Sequence, residues 1–225
     1  MLFGLIKMNN QDIFEIIRDH DESNLAKMIE QGLDVNFYMP NPPFWTPLQE
    51  AIDEVDYGGK IEIVKLLIKA GADVNAWNLD RDSHPLLMAM WGGHKDIVSL
   101  LLKAGANPNV KDNEGNSPLR WSVEEENIEM VQLLLNHGAK DTINEAGGFS
   151  GMNALGIAVS KLNIPIIKTL LDRDADPEVI DNDYRKPIER LPKNADTEIK
   201  EKIKRLLVRY GAKEPNVSYL KQTIP

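Results

Sequence analysis

The sequence predicts an all-α solenoid of about six helix-turn-helix units with hairpin-like finger loops, on three observations. One phrase recurs as Val64-Lys-Leu-Leu-Ile-Lys-Ala-Gly-Ala-Asp-Val-Asn75, Val98-Ser-Leu-Leu-Leu-Lys-Ala-Gly-Ala-Asn-Pro-Asn109 and Val131-Gln-Leu-Leu-Leu-Asn-His-Gly-Ala-Lys140, with fainter copies ending at Gly32, Asp174 and Gly211. The marker positions 32, 71, 105, 138, 174 and 211 lie 39, 34, 33, 36 and 37 residues apart, so a unit of about 33 residues with insertions describes the chain. A second marker stands upstream of each phrase after the first: Thr46-Pro-Leu48, His84-Pro-Leu86, Ser117-Pro-Leu119, the degenerate Asn153-Ala-Leu155 and Lys186-Pro-Ile188. A unit this short cannot bury an apolar face alone and must stack on its neighbours.

Each marker has a local physical meaning. Thr or Ser accepts bonds from the free amides at a helix start, and Pro fits the first helical position, where its missing N–H costs nothing. Gln49 adds the fourth member of a Thr-x-x-Gln capping box. A short first helix is therefore expected after each marker, and a second after a turn such as Gly92-Gly93-His94. In that second helix Ile63, Leu66, Leu67 and Ala70 fall at i, i+3, i+4 and i+7, which makes one stripe apolar. Gly71, Gly105 and Gly138 then stand where a left-handed residue ends a helix. Leu86, Ala89, Leu119, Trp121, Leu155 and Ala158 are expected in the core.

The period, the Thr-Pro-Leu opening and the Leu-Leu-x-x-Gly-Ala-Asp-x-Asn closing together resemble ankyrin repeats over about residues 9–213. The resemblance implies two antiparallel helices per repeat, with fingers projecting between repeats. On this basis the units run over about 9–36 (an amino-terminal cap without the Thr-Pro-Leu start), 37–75, 76–109, 110–140, 141–177 and 178–213 (a carboxy-terminal cap). Residues 1–8 form an extension and 214–225 a tail. Local irregularity is expected at the four-residue excess around Val55–Gly59, at Pro192 inside the last first helix, and at Asp174, which replaces the terminating Gly.

Composition narrows the function classes. The 225 residues are 42% hydrophobic and 27% charged with a net charge of -9, an ordinary foldable composition. No apolar run approaches the ~20 residues needed to span a bilayer, and Met1-Leu-Phe-Gly-Leu-Ile6 is too short for a secretory signal core. The absence of cysteine excludes disulfides, thiolate metal sites and thiol nucleophiles, and fits a reducing, cytoplasmic setting. Residues 1–184 hold 15 Lys and Arg against 30 Asp and Glu, a net of -15, whereas residues 185–225 hold 11 against 5, a net of +6. An acidic body repels nucleic-acid phosphates and attracts basic surfaces.

Catalytic patterns are lacking. Of the four histidines, His94 resembles the family's Gly-His turn residue and His137 lies in the helix-ending phrase. No HExxH, Walker loop or GxGxxG occurs, and Gly148-Phe-Ser-Gly-Met152 misses the GxSxG elbow by its last residue and reads as a flexible loop. Asp172-Arg-Asp174-Ala-Asp176-Pro-Glu178 imitates the start of a calcium loop, but Pro177 occupies the position that demands Gly. The expectation is a non-enzyme with no catalytic, cofactor-binding or metal-binding residues.

Ankyrin-like families bind proteins through finger tips and the exposed positions late in each first helix. Carried onto this chain, the resemblance implies partner-binding roles for Phe37, Tyr38, Phe44 and Trp45 in the first finger. It implies them for Trp77, Leu79, Asp80 and Arg81 in the second finger, and for Asp112 and Glu114 in the third. At the first-helix ends it points to Asp53, Glu54, Trp91, Glu124 and Glu125. Phe37 and Trp45 can equally pack against the neighbouring repeat. An acidic face studded with aromatics suits a protein partner with a basic surface, which casts the chain as a dedicated inhibitor or immunity protein of a basic toxin or enzyme. The alternative is a general adaptor or host-directed effector linking two partners, with the basic end contacting the second. No nucleic-acid partner of the main body and no membrane partner is expected, and the free chain is expected to be a monomer.

The basic segment Lys200–Arg209, with Ile203, Leu206 and Leu207 turned inward, reads as a solvated seal on the last repeat. Deleting residues 186–225 should cause aggregation or loss of cooperative urea unfolding; a soluble, equally stable truncation would refute the seal.

Overall fold

The computed structural model describes residues 12–77 and 83–213, which fall into two compact units, residues 1–107 and 108–225. Among the described residues there are eleven α-helices and no strand. The first unit contains α1 (Asp12–Arg18), α2 (Glu22–Glu30), α3 (Pro47–Asp53), α4 (Ile61–Lys69), α5 (Pro85–Trp91) and α6 (Lys95–Lys103). The second contains α7 (Pro118–Glu124), α8 (Ile128–Asn136), α9 (Ala154–Ser160), α10 (Ile164–Leu171) and α11 (Thr197–Arg209). Within the first unit α3 packs on α1, α4 and α5, and α4 on α2 and α6. Within the second, α9 packs on α7 and α10, and α8 on α7 and α10.

Sequence markers become helix ends as expected. Thr46 Oγ1 accepts from the Gln49 N–H and Gln49 Oε1 from the Thr46 N–H, closing the capping box on α3. Ser117 caps α7 and Asn153 caps α9 by the first of these bonds alone, each accepting the amide three residues on, so the degenerate fifth marker still works. Second helices are opened by Asp21, Asn127, Asn163 and Asp196, each accepting an amide three residues on. First helices bury i, i+3 and i+4, as in Leu48-Ala51-Ile52, Leu86-Ala89-Met90 and Leu155-Ala158-Val159. Second helices bury i, i+1 and i+4, as in Ile63-Val64-Leu67, Ile97-Val98-Leu101, Met130-Val131-Leu134 and Ile166-Ile167-Leu170. The expected stripe is thus rotated: Val64 is buried, while Leu66 and Ala70 are half-buried. First helices such as α3 and α9, seven residues long, are buried on six positions each, whereas second helices of eight to thirteen residues bury two to four.

The helix-ending glycines have φ of 89° at Gly32, 88° at Gly71, 94° at Gly105, 94° at Gly138 and 106° at Gly211. Asp174 adopts φ 68° at the same place, so the backbone follows the common path there rather than becoming irregular. The other two expected irregularities are present. Glu54–Tyr57 form a 3₁₀ turn between α3 and α4, and Pro187–Arg190 form another in place of a sixth first helix.

Successive repeats are tied by the asparagine that closes each phrase. Asn36 Nδ2 donates to Gly71 O at 2.9 Å while its Oδ1 accepts from Asp73 N–H at 2.7 Å. Asn75 does the same with Gly105 O at 3.1 Å and Asn107 N–H at 2.8 Å. In the second unit Asn109 donates to Gly138 O at 3.0 Å and Asn144 accepts from Asp176 N–H at 2.8 Å. At the last repeat Glu178 substitutes, accepting from Lys213 N–H at 2.9 Å. The finger turns are hairpin-like: Asp112 N–H donates to Asn116 O at 3.1 Å and Asp181 N–H to Arg185 O at 3.0 Å.

His84, the N-cap of α5, is buried and accepts from Leu86 N–H through Nδ1 at 3.4 Å. Burial, opposed weakly by Asp73, pulls its pKa from 6.5 down to about 4. The unfolded chain therefore holds this proton more tightly, so stability is full above pH 6.5 and declines as the pH falls toward 4, by at most about 1.4 kcal/mol per pH unit. Glu50 and Asp53, raised chiefly by burial from 4.5 and 3.8, act in the opposite sense, losing stability as the pH rises above those values. Urea unfolding from pH 7 to 4.5 should thus show a steeper loss for wild type than for His84→Thr; identical slopes would remove the histidine from the account.

Candidate functional site

In the first unit the residues that vary between repeats surround a cavity of about 440 Å³, lined by Trp45, Ile52, Asp53, Asp56, Met88 and Trp91. Trp45 ends the first finger, Asp53 ends α3, Trp91 ends α5 and Asp56 lies in the 3₁₀ turn. The four-residue insertion thus supplies one acid of the site. Trp91 is 45% exposed and presents its indole to solvent.

Neighbouring acids have basic partners, and Asp53 does not. Arg18 Nε donates to Glu50 Oε1 at 2.5 Å, His20 Nε2 lies 3.3 Å from Glu54 Oε2, and His94 Nε2 lies 3.0 Å from Asp56 Oδ1. The Asp53 carboxyl is pushed above its ordinary range by burial first, then by Glu54 and Asp56, with no cation or donor among the described residues offsetting them. An acid held in this way favours an arriving positive charge.

The first finger divides between packing and exposure. Phe37 is half-buried and meets Phe14 edge-on, with ring centroids 5.6 Å apart at 84°, so it anchors the finger to α1 instead of standing at its tip. Phe44 is also half-buried. Tyr38 is exposed, and its hydroxyl donates to Trp77 O at 3.4 Å, which brings it beside Trp77, itself 56% exposed. Leu79, Asp80 and Arg81 lie outside the described residues.

In the second unit much of the expected acidity is already used. Asp112 accepts from the amides of Glu114 and Asn116 and from Asn116 Nδ2, so it builds its own finger turn. Glu114 is exposed but accepts from Asn116 Nδ2 at 3.3 Å. Glu124 pairs with Arg120 Nη2 at 3.2 Å, which leaves Glu125, exposed at the end of α7, as the free acid of that pair of positions. Arg120 takes the deep place, 1% exposed, and Trp121 is only half-buried because it falls beside the Leu119-Ser122-Val123 stripe. Three of the four acids at 172–178 are likewise engaged: Asp172 bonds Lys168 and Tyr210, Asp176 accepts from the Glu178 amide, and Glu178 pairs with Lys186 at 2.7 Å. Their hydrogen bonds hold the Asp172 and Glu178 carboxyls below their ordinary range.

The sequence reading passes over three exposed aromatics: Tyr57, Phe149 and Tyr184. Phe149, 96% exposed, projects from the Gly-rich finger, and Gly151 O accepts from Asn182 N–H of the next finger at 3.0 Å. An aromatic inside a Gly-rich or charged finger, away from any helical stripe, is the signal that would have found them. The finger is held in place. A Cβ on Gly148, whose φ is 58°, would lie 2.0 Å from Asn116 Oδ1 and 2.6 Å from Arg120 Nη2. Gly148→Ala should therefore lower unfolding stability by about 1–3 kcal/mol in urea titration, and an unchanged midpoint would show that the finger is not pinned.

No group of His, Cys, Asp and Glu among the described residues is arranged to hold a metal, and none of their helices is long and apolar enough to cross a membrane. Family models described as ankyrin repeats match residues 86–181 and 57–102. An ankyrin repeat protein of Fowlpox virus (strain NVSL), FPV031, is 34% identical over 125 residues, which are 55% of this chain and 36% of that one. The chain thus aligns with about a third of that relative's length. Among solved structures, an ankyrin repeat domain from Acinetobacter baumannii AYE superposes with a TM-score of 0.72 at 25% identity, covering 91% of this chain and 100% of the other. The ankyrin repeat protein EF0377 gives 0.69 at 28%, covering 87% and 98%. The ankyrin repeat domain of Bcl-3, of the IkappaB family, gives 0.60 at 22%, covering 85% and 97%, and speaks to the fold alone. With the helix pairs, the helix-ending glycines and the asparagine ties, these likenesses show that the chain belongs to the ankyrin-repeat family.

Proposed function

We propose that this chain is a non-enzymatic binding module that recognises a basic protein surface through acidic and aromatic residues at its finger tips and first-helix ends, as a dedicated inhibitor or immunity protein of a basic toxin or enzyme. Ankyrin repeats generally mediate protein–protein interaction, which supplies the coarse part of the reading. The finer part rests on one observation: an aromatic-walled cavity whose Asp53 has no positive partner among the described residues. Tyr38, Trp77 and Trp91 offer exposed rings on the same unit, and Glu125, on the other, an acid with no cation partner among the described residues. Large aromatics supply tight contacts, while complementary charge steers association. The module acts as a monomer in a cytoplasmic setting.

A second reading, an adaptor or host-directed effector joining two partners, draws on the exposed cations Lys202, Arg205 and Arg209 of α11. The full chain used as bait beside a Trp77→Ala, Trp91→Ala, Glu125→Lys variant separates the two. Glu125 is the better choice than Glu124, whose reversal would break the pair with Arg120. The captured protein is then purified and titrated by calorimetry at two salt concentrations. One basic partner, bound one-to-one, weakened at least about tenfold by the variant and by salt, is expected. Acidic partners indifferent to the substitutions would favour the adaptor.

A further inference from the structure

The cavity of the first unit specifies which group of a basic partner it accepts, an inference that rests on the basic-partner reading. We propose that the hollow between the ends of α3 and α5 is a subsite for one lysine or arginine side chain of the protein partner, with Asp53 and Asp56 meeting its charge and Trp91 its stem. At about 440 Å³ the hollow lies in the lower part of the range for ligand sites, suited to a side chain rather than an element of secondary structure. Its walls are mixed in the way a long cationic side chain requires. Ile52, Met88 and the indoles of Trp45 and Trp91 cover methylenes, and an indole face also attracts a cation. The carboxylates of Asp53 and Asp56 then meet the charged tip.

Competing occupants fit less well. An anionic group would face Asp53 and Asp56, with Glu54 next in sequence, and a neutral aliphatic chain would leave the Asp53 carboxylate desolvated without a partner. A cation removes the penalty that burial and repulsion now place on Asp53. Asp56 is shared, because His94 Nε2 already lies 3.0 Å from it, so Asp53 is the principal counter-charge.

The test uses the full chain and three small probes: N-acetyl-lysine methylamide, N-acetyl-arginine methylamide and the neutral N-acetyl-norleucine methylamide. Binding is followed through the indole N–H resonances of the four tryptophans. Saturable shifts at Trp91 and Trp45 with a cationic probe are expected, with norleucine at least about tenfold weaker and Asp53→Asn weakening the cationic probes at least about tenfold. Thermal unfolding checks that Asp53→Asn folds, and Trp91→Ala, at an exposed position, tests the wall if it does not. Equal binding of norleucine and lysine, unchanged affinity in both variants, or shifts confined to Trp77 would each overturn the subsite. A captured basic protein whose affinity ignores Asp53→Asn and Trp91→Ala, while still falling with salt, would sink the subsite and leave the proposed function standing.

Discussion

Asn36, Asn75 and Asn109 each reach about one repeat forward to bond the carbonyl of the next helix-ending glycine, and where the Oδ1 also accepts an amide just beyond, one side chain satisfies two main-chain groups that the helix end leaves open. The rest of the architecture depends on this tie. It requires a residue at positive φ, met by Gly71 at 88°, Gly105 at 94° and Gly138 at 94°, to turn the chain so that the carbonyl faces backward. It also fixes the spacing of successive repeats, so that stripes such as Ile63-Val64-Leu67 and Ile97-Val98-Leu101 meet within the first unit. Hydrogen-bond pairing and apolar burial thus demand the same period, which is why the phrase recurs as a whole.

Structural duties are concentrated in a few positions per repeat, and the remainder is free to diverge. Gln49 shows how tightly the constrained positions are used: it closes the cap of α3 and also donates through Nε2 to Ser83 in the next finger. Arg120 stands at the same place in its repeat and reaches Ser150 at 3.5 Å, but as a buried guanidinium whose Nε and Nη1 have no acceptor among the described residues. Such a charge is a poor source of stability and a strong local constraint, because it must keep Glu124 close. By contrast the side chains of Asp53, Trp77 and Trp91 cap no helix and lie outside the fully buried core, and they are the residues left for binding.

Charge counted along the sequence overstates charge available at the surface. Residues 1–184 carry an excess of acids, yet Asp112, Glu124, Asp172 and Glu178 are engaged by amides, Arg120, Lys168 and Lys186. The same holds for the acidic stretch that opposes the end of α10. Its repulsion is relieved by the chain's own lysines and by Tyr210, without an external cation.

The sequence by itself determined the helix pairs, their caps, the left-handed helix ends and the irregular places at Val55–Gly59 and near Pro192, because each is a local matter of capping, backbone freedom and apolar period. Thr46-Pro47-Leu48-Gln49 and Gly71 carry their instructions within four or five residues. The resemblance to ankyrin repeats also placed Trp77 and Trp91 at variable, exposed positions, and both are exposed. Tertiary structure decided what depends on neighbours a full repeat away: that Phe37 packs on Phe14, that Val64 rather than Leu66 is buried, and that Arg120 displaces Trp121 from the deep place. It alone brought Trp45, Asp53, Asp56 and Trp91 around one cavity. Which acid keeps a free carboxylate is a question of distance to a cation in another helix, and linear spacing does not contain that distance.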